Sequence, residues 1–264
     1  MTQAAWRVVF PADYFTARQP DEAFADQAAA FAGLGWKVST FALDSDRRFR
    51  PPLEPDESVL YRGWMLTGDA YRDFEDAVTS AGATLATSHA AYLAAHHIPN
   101  WYPLLADLTP KTVCFSDLTG MDGKLAELGW DAFFVKDYVK SLKTGAGSVI
   151  TRPEHIGELM GRMEQFRGQI EGGLCVRQFE PLETHTETRY FVRDGHAFEA
   201  NGSAVPDIVQ TVAERIPSPF FSVDIARRSD GVWRVVEIGD GQVSDLVGWT
   251  AEQFKIVWMD AMQE

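Results

Sequence analysis

Two acidic residues, Asp224 and Glu237, stand in the run FFSVDIARRSDGVWRVVEIGDGQVSDL at Phe220–Leu246. The run reads as two strands joined at Asp230-Gly231, a strong hairpin signal. A two-residue turn there places Asp224 directly opposite Glu237, with Cβ atoms roughly 4.5–5.5 Å apart on one face. Apolar neighbours (Val223, Ile225, Val236, Ile238) make that face half-buried. Two carboxylates so placed repel, and the pKa of one rises unless a cation lies between them. Oxygen-only donors favour a hard divalent ion, Mg²⁺ or Mn²⁺. The plain alternative is an acid pair on a solvated sheet. Gly239, Asp240, Gly241 and Gln242 then end the strand in a loop without apolar residues, open to close approach by a ligand.

Candidate cations lie upstream. Lys136 closes the apolar run AFFV, either reaching solvent or holding a phosphate. Behind it, Lys140–Ser148 (KSLKTGAGS) is small, polar and glycine-containing, either a plain hairpin or a loop that folds over a polyphosphate. It lacks the GxxxxGK[ST] spacing of a Walker A loop. Arg62 follows the strand SVLY, at the end of the strand where ligands gather in open α/β sheets, and is otherwise an ordinary surface arginine. No serine or cysteine has a placed histidine partner, so covalent catalysis is unsupported. His96-His97 do not share a helix face and make no joint metal site.

The elements that must position these residues alternate. Trp6–Phe10, Lys37–Leu43, Ser58–Tyr61 and Thr84–Ala86 read as strands, and Asp21–Gly33 and Ala70–Ala81 as helices, the second capped by Thr67 or Asp69. Another helix runs from a cap at Ser88 through His96. The spacing predicts a small, mostly parallel α/β unit. Proline-bracketed Asn100–Pro110 reads as a boundary. Beyond it come strands at Lys111–Phe115, Ala132–Val135, Leu174–Phe179 (Arg177 outward) and Thr188–Val192, and helices at Asp122–Leu128, Arg152–Phe166, Pro206–Arg215 and Trp249–Met262.

The chain of 264 residues carries a formal charge of −14, which disfavours nucleic acid as its main partner. No apolar run reaches the roughly 18 residues of a membrane span. Cys114 and Cys175 sit in apolar strand-like runs and read as buried free thiols in a reducing cytoplasm.

The order strand-end lysine, glycine-containing loop, helix, arginine strand, acid strand, acid strand resembles the ATP-grasp superfamily, specifically a phage and bacterial subgroup marked by two arginines and a lysine. The carrying motifs are VKDYVKS (Val135–Ser141), VRQF (Val176–Phe179), TRYFV (Thr188–Val192), SVDIA (Ser222–Ala226) and VVEIGDGQVSDL (Val235–Leu246), with YRGWM (Tyr61–Met65) in the preceding domain. The resemblance implies an α+β fold: a pre-ATP-grasp α/β domain over residues 1–108, then an ATP-grasp domain over 109–264, divided at 176/177. It implies that Lys136 contacts the α- and β-phosphates of ATP, that Lys140–Ser148 closes over them with Lys143 and Ser148 as donors, and that the Arg177-Gln178-Phe179 linker reads the adenine edge. Asp224 and Glu237 would hold Mg²⁺. Gly239 stands where many members have an asparagine ligand, which leaves Asp240 or Gln242 as its replacement. Arg62, Arg177 and Arg189 would grip a substrate carboxylate and its phosphate.

The implied activity is ATP-dependent joining of a small carboxylate, amino acid or peptide to an amine through an acyl phosphate, in a protein compatible with a homodimer. Two other classes stay open: a metal-dependent hydrolase or nuclease built on Asp224 and Glu237, and an ATP-binding regulatory module without turnover.

Overall fold

The computed structural model describes residues 5–43, 45–139, 148–167, 170–183 and 185–262. Its elements in chain order are β1 (Trp6–Pro11), α1 (Ala25–Gly33), β2 (Lys37–Phe41), β3 (Phe49–Arg50), β4 (Ser58–Tyr61), α2 (Gly68–Ser80), β5 (Thr84–Leu85), α3 (His89–His96), α4 (Ile98–Leu105), β6 (Thr112–Phe115) and α5 (Met121–Leu128). There follow β7 (Phe133–Asp137), β8 (Val149–Ile150), α6 (Ile156–Arg167), β9 (Leu174–Gln178), β10 (Thr188–Arg193), β11 (His196–Phe198), α7 (Asp207–Arg215), β12 (Phe220–Arg227), β13 (Trp233–Asp240) and α8 (Ala251–Phe254). The chain forms two compact units, one of residues 1–94, 188–223 and 239–264, the other of residues 95–187 and 224–238.

The first unit contains a five-stranded sheet in the order β3-β2-β1-β4-β5. The β1–β2, β1–β4 and β4–β5 pairs are parallel, as the alternation of strands and helices predicts, and β3 adds an antiparallel edge. β3 escapes sequence reading because two residues carry no period. The central strands bury both faces: Val8, Phe10 and Leu60 pack with Phe31, Trp36 and Trp258, and Val9, Val59 and Tyr61 with Tyr71, Phe74 and Val78. Helix starts follow the predicted caps: Thr67 Oγ1 accepts from Ala70 N and Ser88 Oγ from Ala91 N. Arg7 is buried between sheet neighbours, its Nε donating to Glu57 Oε2 at 2.6 Å and its Nη1 to Ser39 Oγ at 2.8 Å.

The second unit contains the sheet β6-β9-β7-β8, with antiparallel pairing throughout. Alternation sends Phe133, Val135, Leu174 and Val176 to one face, where they meet Leu125, Ile156, Leu159 and Met163 of α5 and α6. The opposite face carries Lys136 beside Cys175 and Phe134 beside Arg177. A third sheet has the order β11-β10-β12-β13, and β10 turns into β11 with Arg193 opposite His196.

Several expectations are corrected. Cys114 and Cys175 are bonded as a disulfide rather than free; they face each other across β6 and β9, a pairing that 61 residues of separation hide in the sequence. The argument for a reducing compartment loses that support. Among the described residues, no helix is long and apolar enough to cross a membrane. Asn100–Pro110 is not a simple boundary, since α4 occupies Ile98–Leu105, with Pro99 in its first turn, where the missing N–H costs nothing, and Pro103 inside it. The β12–β13 hairpin turns over three residues instead of two: Arg228 N donates to Val232 O, and Gly231 N to Arg228 O, with Gly231 at φ +85°. β13 runs on through Asp240, so Gly239 and Asp240 are strand rather than loop. The C-terminal segment is one short α-helix, α8, followed by 3₁₀ turns to Met262.

Candidate functional site

In the second unit, β7 and β9 bring together two cations that lie far apart in the sequence. Lys136 is 2% exposed and Arg177 3%. The expectation of an outward Arg177 is thus overturned: its face of the strand is covered, and Arg177 Cζ lies 5.4 Å from the Trp101 ring centroid. One arm of the guanidinium is anchored, Nη1 donating to the Val236 carbonyl of β13. Its Nε and Nη2 are buried with no partner among the described residues. A buried, unmatched donor is costly, about 1–3 kcal/mol and more for a charged group, so such donors mark a place where a ligand supplies the acceptors. Burial depresses the Arg177 pKa to about 10, against the pull of Glu237.

Lys136 Nζ lies 3.3 Å from Glu237 Oε2. Burial pushes its pKa down; Glu237 opposes this most strongly, Arg177 adds to the depression, and Asp224 also draws it up. Asp224 and Glu237 therefore both act on one ammonium, while the two-residue turn expected to set them directly opposite each other is replaced by the three-residue one. Asp224 is buried, and the Glu237 side chain remains 30% exposed. Beside them opens a largely apolar cavity of about 280 Å³, lined by Phe134, Arg177, Gln178, Phe179, Val235 and Val236 among others. Phe179 is 43% exposed at this cavity. Ser148 is buried; Lys143, with the rest of residues 140–147, lies outside the described residues.

Sequence reading missed Arg234, which pins the strand end beyond β9. Its Nε and Nη2 donate to the two carboxylate oxygens of Glu180 at 2.9 and 3.0 Å, and Nη2 also reaches Thr109 O at 2.6 Å. The bidentate pair holds Glu180 beside Val235, both on the cavity wall. The partners are 54 positions apart, so no local pattern announces them. Trp101 was likewise hidden by reading its helix as a linker.

The first unit holds the other candidates. Arg62 is buried; its Nε donates to Gln27 Oε1 at 2.9 Å and its Nη atoms to the carbonyls of Gly241 and Ser244. These contacts engage four of the five guanidinium N–H groups. Arg189 is partly buried and its Nη1 donates to Asp245 O at 2.8 Å. Asp240 is fully buried: Oδ1 accepts from Gln242 N and Nε2, while Oδ2 has no partner among the described residues. Burial raises its pKa to about 7, against the Gln242 donors and the Arg62 charge. Gly239 is explained by space. A Cβ there would lie 3.0 Å from Ser244 Oγ and 3.2 Å from Ser222 Oγ, and those hydroxyls bond each other at 2.7 Å. An asparagine at this position would have to displace them.

The donor set fits a magnesium nucleotide. Arg177 offers two unfilled donors to phosphate oxygens and Lys136 a buried ammonium, and the apolar cavity has the character of a base pocket. Asp224 and Glu237 are two oxygen donors. Among the described residues no group of three or more His, Cys, Asp or Glu side chains could hold a metal. Mg²⁺ is commonly held by only one or two carboxylates, with phosphate and water completing its shell.

A family model matches residues 119–258; it describes an ATP-grasp domain, the third family of the clade marked by two arginines and a lysine. A search of curated protein sequences finds no match. Among solved structures, the chain is similar to a D-cycloserine synthetase (15% identity, TM-score 0.64, covering 97% of this chain and 99% of that one). It is also similar to D-alanyl-alanine synthetase A from Vibrio cholerae (12%, TM-score 0.65, 100% and 98%). A third is the ATP-grasp ligase PsnB complexed with a minimal precursor, Mg and ADP (13%, TM-score 0.59, 98% and 98%). At these identities the likeness is one of fold.

Proposed function

Because the chain belongs to this ATP-grasp domain family of the two-arginine, one-lysine clade, we propose that it is an ATP-dependent ligase that activates a carboxylate as an acyl phosphate and transfers the acyl group to an amine. The observation that carries the nucleotide part is Arg177, whose two buried unmatched donors lie in the same unit as Lys136, two carboxylates and a base-sized apolar cavity. A similar fold has been solved with Mg and ADP, which supports the same cofactors here.

In this reading the adenine enters the cavity beside Gln178 and Phe179, and the Arg234–Glu180 pair keeps the wall in place. Arg177 donates Nε–H and Nη2–H to phosphate oxygens, held in direction by its third contact at Val236 O. Lys136, already stripped of water, exchanges part of its pairing with Glu237 for a phosphate oxygen. Asp224 and Glu237 would hold Mg²⁺, which supplies charge neutralisation on the transferring phosphoryl group. The remaining requirement is placement of the carboxylate in line with the γ-phosphate, since phosphoryl transfer needs positioning more than covalent help. Arg189 stays a candidate for that anion on its strand motif TRYFV. Arg62, nearly saturated by carbonyls, acts by holding the Gly241–Ser244 segment in place.

Product analysis tests the proposal. Incubation with Mg-ATP, a mixture of amino acids and dipeptides, and hydroxylamine as a general trap is expected to yield ADP, phosphate and a hydroxamate in equal amounts. Formation of AMP and pyrophosphate, or cleavage of a phosphoester without ATP, would overturn it.

A further inference from the structure

The first unit contains a second cavity, of about 380 Å³, that the ligase reading leaves unassigned. It lies beyond the carboxyl end of β4, where Arg62, Gly63 and Trp64 leave the parallel sheet, and α1 and the segment after β13 complete its walls. Its size is that of a small-molecule site.

Three aromatic residues line it, and two are fixed by polar contacts. Trp64, 52% exposed, donates Nε1–H to Asp21 Oδ2 at 3.1 Å and meets the Phe24 ring edge-on with centroids 5.0 Å apart. Trp249 donates Nε1–H to Arg189 O at 3.0 Å. Trp64 so held keeps an open ring surface without losing further freedom on binding, while Trp249, 7% exposed, forms part of the wall.

The carboxylates in the cavity are open to a ligand. Asp26 and Asp245 line it and are exposed, and neither carboxylate has a hydrogen bond or ion pair among the described residues. Arg62 is the single cation among its described lining residues; Arg189, outside the lining, spends Nη1 on the main-chain carbonyl of Asp245 at 2.8 Å and leaves that carboxylate unpaired. The Arg62 guanidinium is taken by Gln27 and the Gly241 and Ser244 carbonyls, and it lies 4.5 Å over the Phe254 ring. Aromatic faces and free carboxylates both favour a positive ligand, and a chain of net charge −14 adds a field of the same sense.

We propose that this cavity binds an organic ammonium ion carried on an apolar or aromatic body, with the ammonium toward Asp26 and Asp245 and the body against Trp64 and Trp249. The volume and the rings suit such a molecule better than a bare metal ion, for which the aromatic wall would be wasted. Binding does not rest on the ATP-dependent reading; only a role for the ligand as the amine acceptor does.

The test is titration calorimetry on the intact protein without nucleotide or metal, so that failure here and failure of the ligase reading are separable. The probes are phenethylamine and its neutral counterpart 2-phenylethanol, at low ionic strength and neutral pH. Saturable binding of the amine is expected, about tenfold or more tighter than the alcohol, from cation–π and ion-pair terms together. Asp26→Asn with Asp245→Asn should remove that preference, and Trp64→Ala should weaken both probes; all three positions are exposed, and circular dichroism verifies folding. Absence of saturable amine binding, equal binding of the alcohol, or an unchanged preference in the double variant would overturn the proposal.

Discussion

Lys136→Met separates what the nucleotide site costs the fold from what it does. The ammonium is 2% exposed, and burial depresses its pKa below the ordinary lysine value, so the folded state is penalised for holding it charged. A lysine with a depressed folded pKa keeps its full contribution above the unfolded pKa and loses stability as pH falls from there toward the folded one. Methionine keeps the unbranched stem and removes the charge. Glu237, 30% exposed, can recover hydration when its partner leaves, although Asp224 and Glu237 then repel without a cation beside them. Replacing buried charge by apolar volume ranges from neutral to about 4 kcal/mol stabilising. With the carboxylate repulsion set against it, a gain of about 0–3 kcal/mol is expected, a melting temperature higher by roughly 0–10 °C for a chain of this size. The same variant should lose the response to Mg-ATP, which in wild type at about a hundred times Kd adds about 2.7 kcal/mol. Differential scanning calorimetry with and without Mg-ATP reads both quantities. A loss of more than about 2 kcal/mol in the nucleotide-free protein would refute the reasoning, because Lys136 would then be a stabilising partner of Glu237. A preserved nucleotide shift would refute it as well.

Asp240, with a folded pKa of about 7 against an unfolded value near 4, binds an extra proton in the folded state between those pH values, so stability falls as pH rises through that window. Asp240→Asn should therefore match wild type near pH 4 and exceed it by up to about 4 kcal/mol at pH 8, read from urea unfolding without metal; a difference that does not change with pH contradicts this. Arg62→Met should cost about 2–6 kcal/mol by stranding the Gly241 and Ser244 carbonyls, and Arg62→Lys should recover less than half, because one ammonium cannot serve acceptors in that many directions. Reduction of the Cys114–Cys175 disulfide, which closes 61 residues, should lower unfolding free energy by up to about 4 kcal/mol on the chain-entropy argument; an unaltered urea midpoint contradicts it.

Local signals carried much of the architecture. The parallel sheet was legible because strand and helix periods alternate from Trp6 to His96, and the helix starts because Thr67 and Ser88 sit where caps belong. Lys136, Asp224 and Glu237 stood out as candidates because each charge interrupts or closes an apolar strand. What failed was nonlocal. The disulfide depends on the β6–β9 register, Arg234–Glu180 on two segments meeting from a distance, and the burial of Arg177 on Trp101 and β13 covering a face that the strand pattern alone leaves open. The hairpin turn failed for a subtler reason: Asp230-Gly231 suits either loop length, and Gly231 takes the left-handed position that closes the longer one.

The central claim, that Arg177, Lys136 and the carboxylate pair form a magnesium-nucleotide site, is tested most directly by calorimetric titration with the nonhydrolysable ATP analogue AMP-PNP, with and without Mg²⁺. The account predicts saturable one-to-one binding that tightens with Mg²⁺ in wild type and is lost in Arg177→Gln. Equal binding with and without Mg²⁺, or undiminished binding in Arg177→Gln, would contradict it.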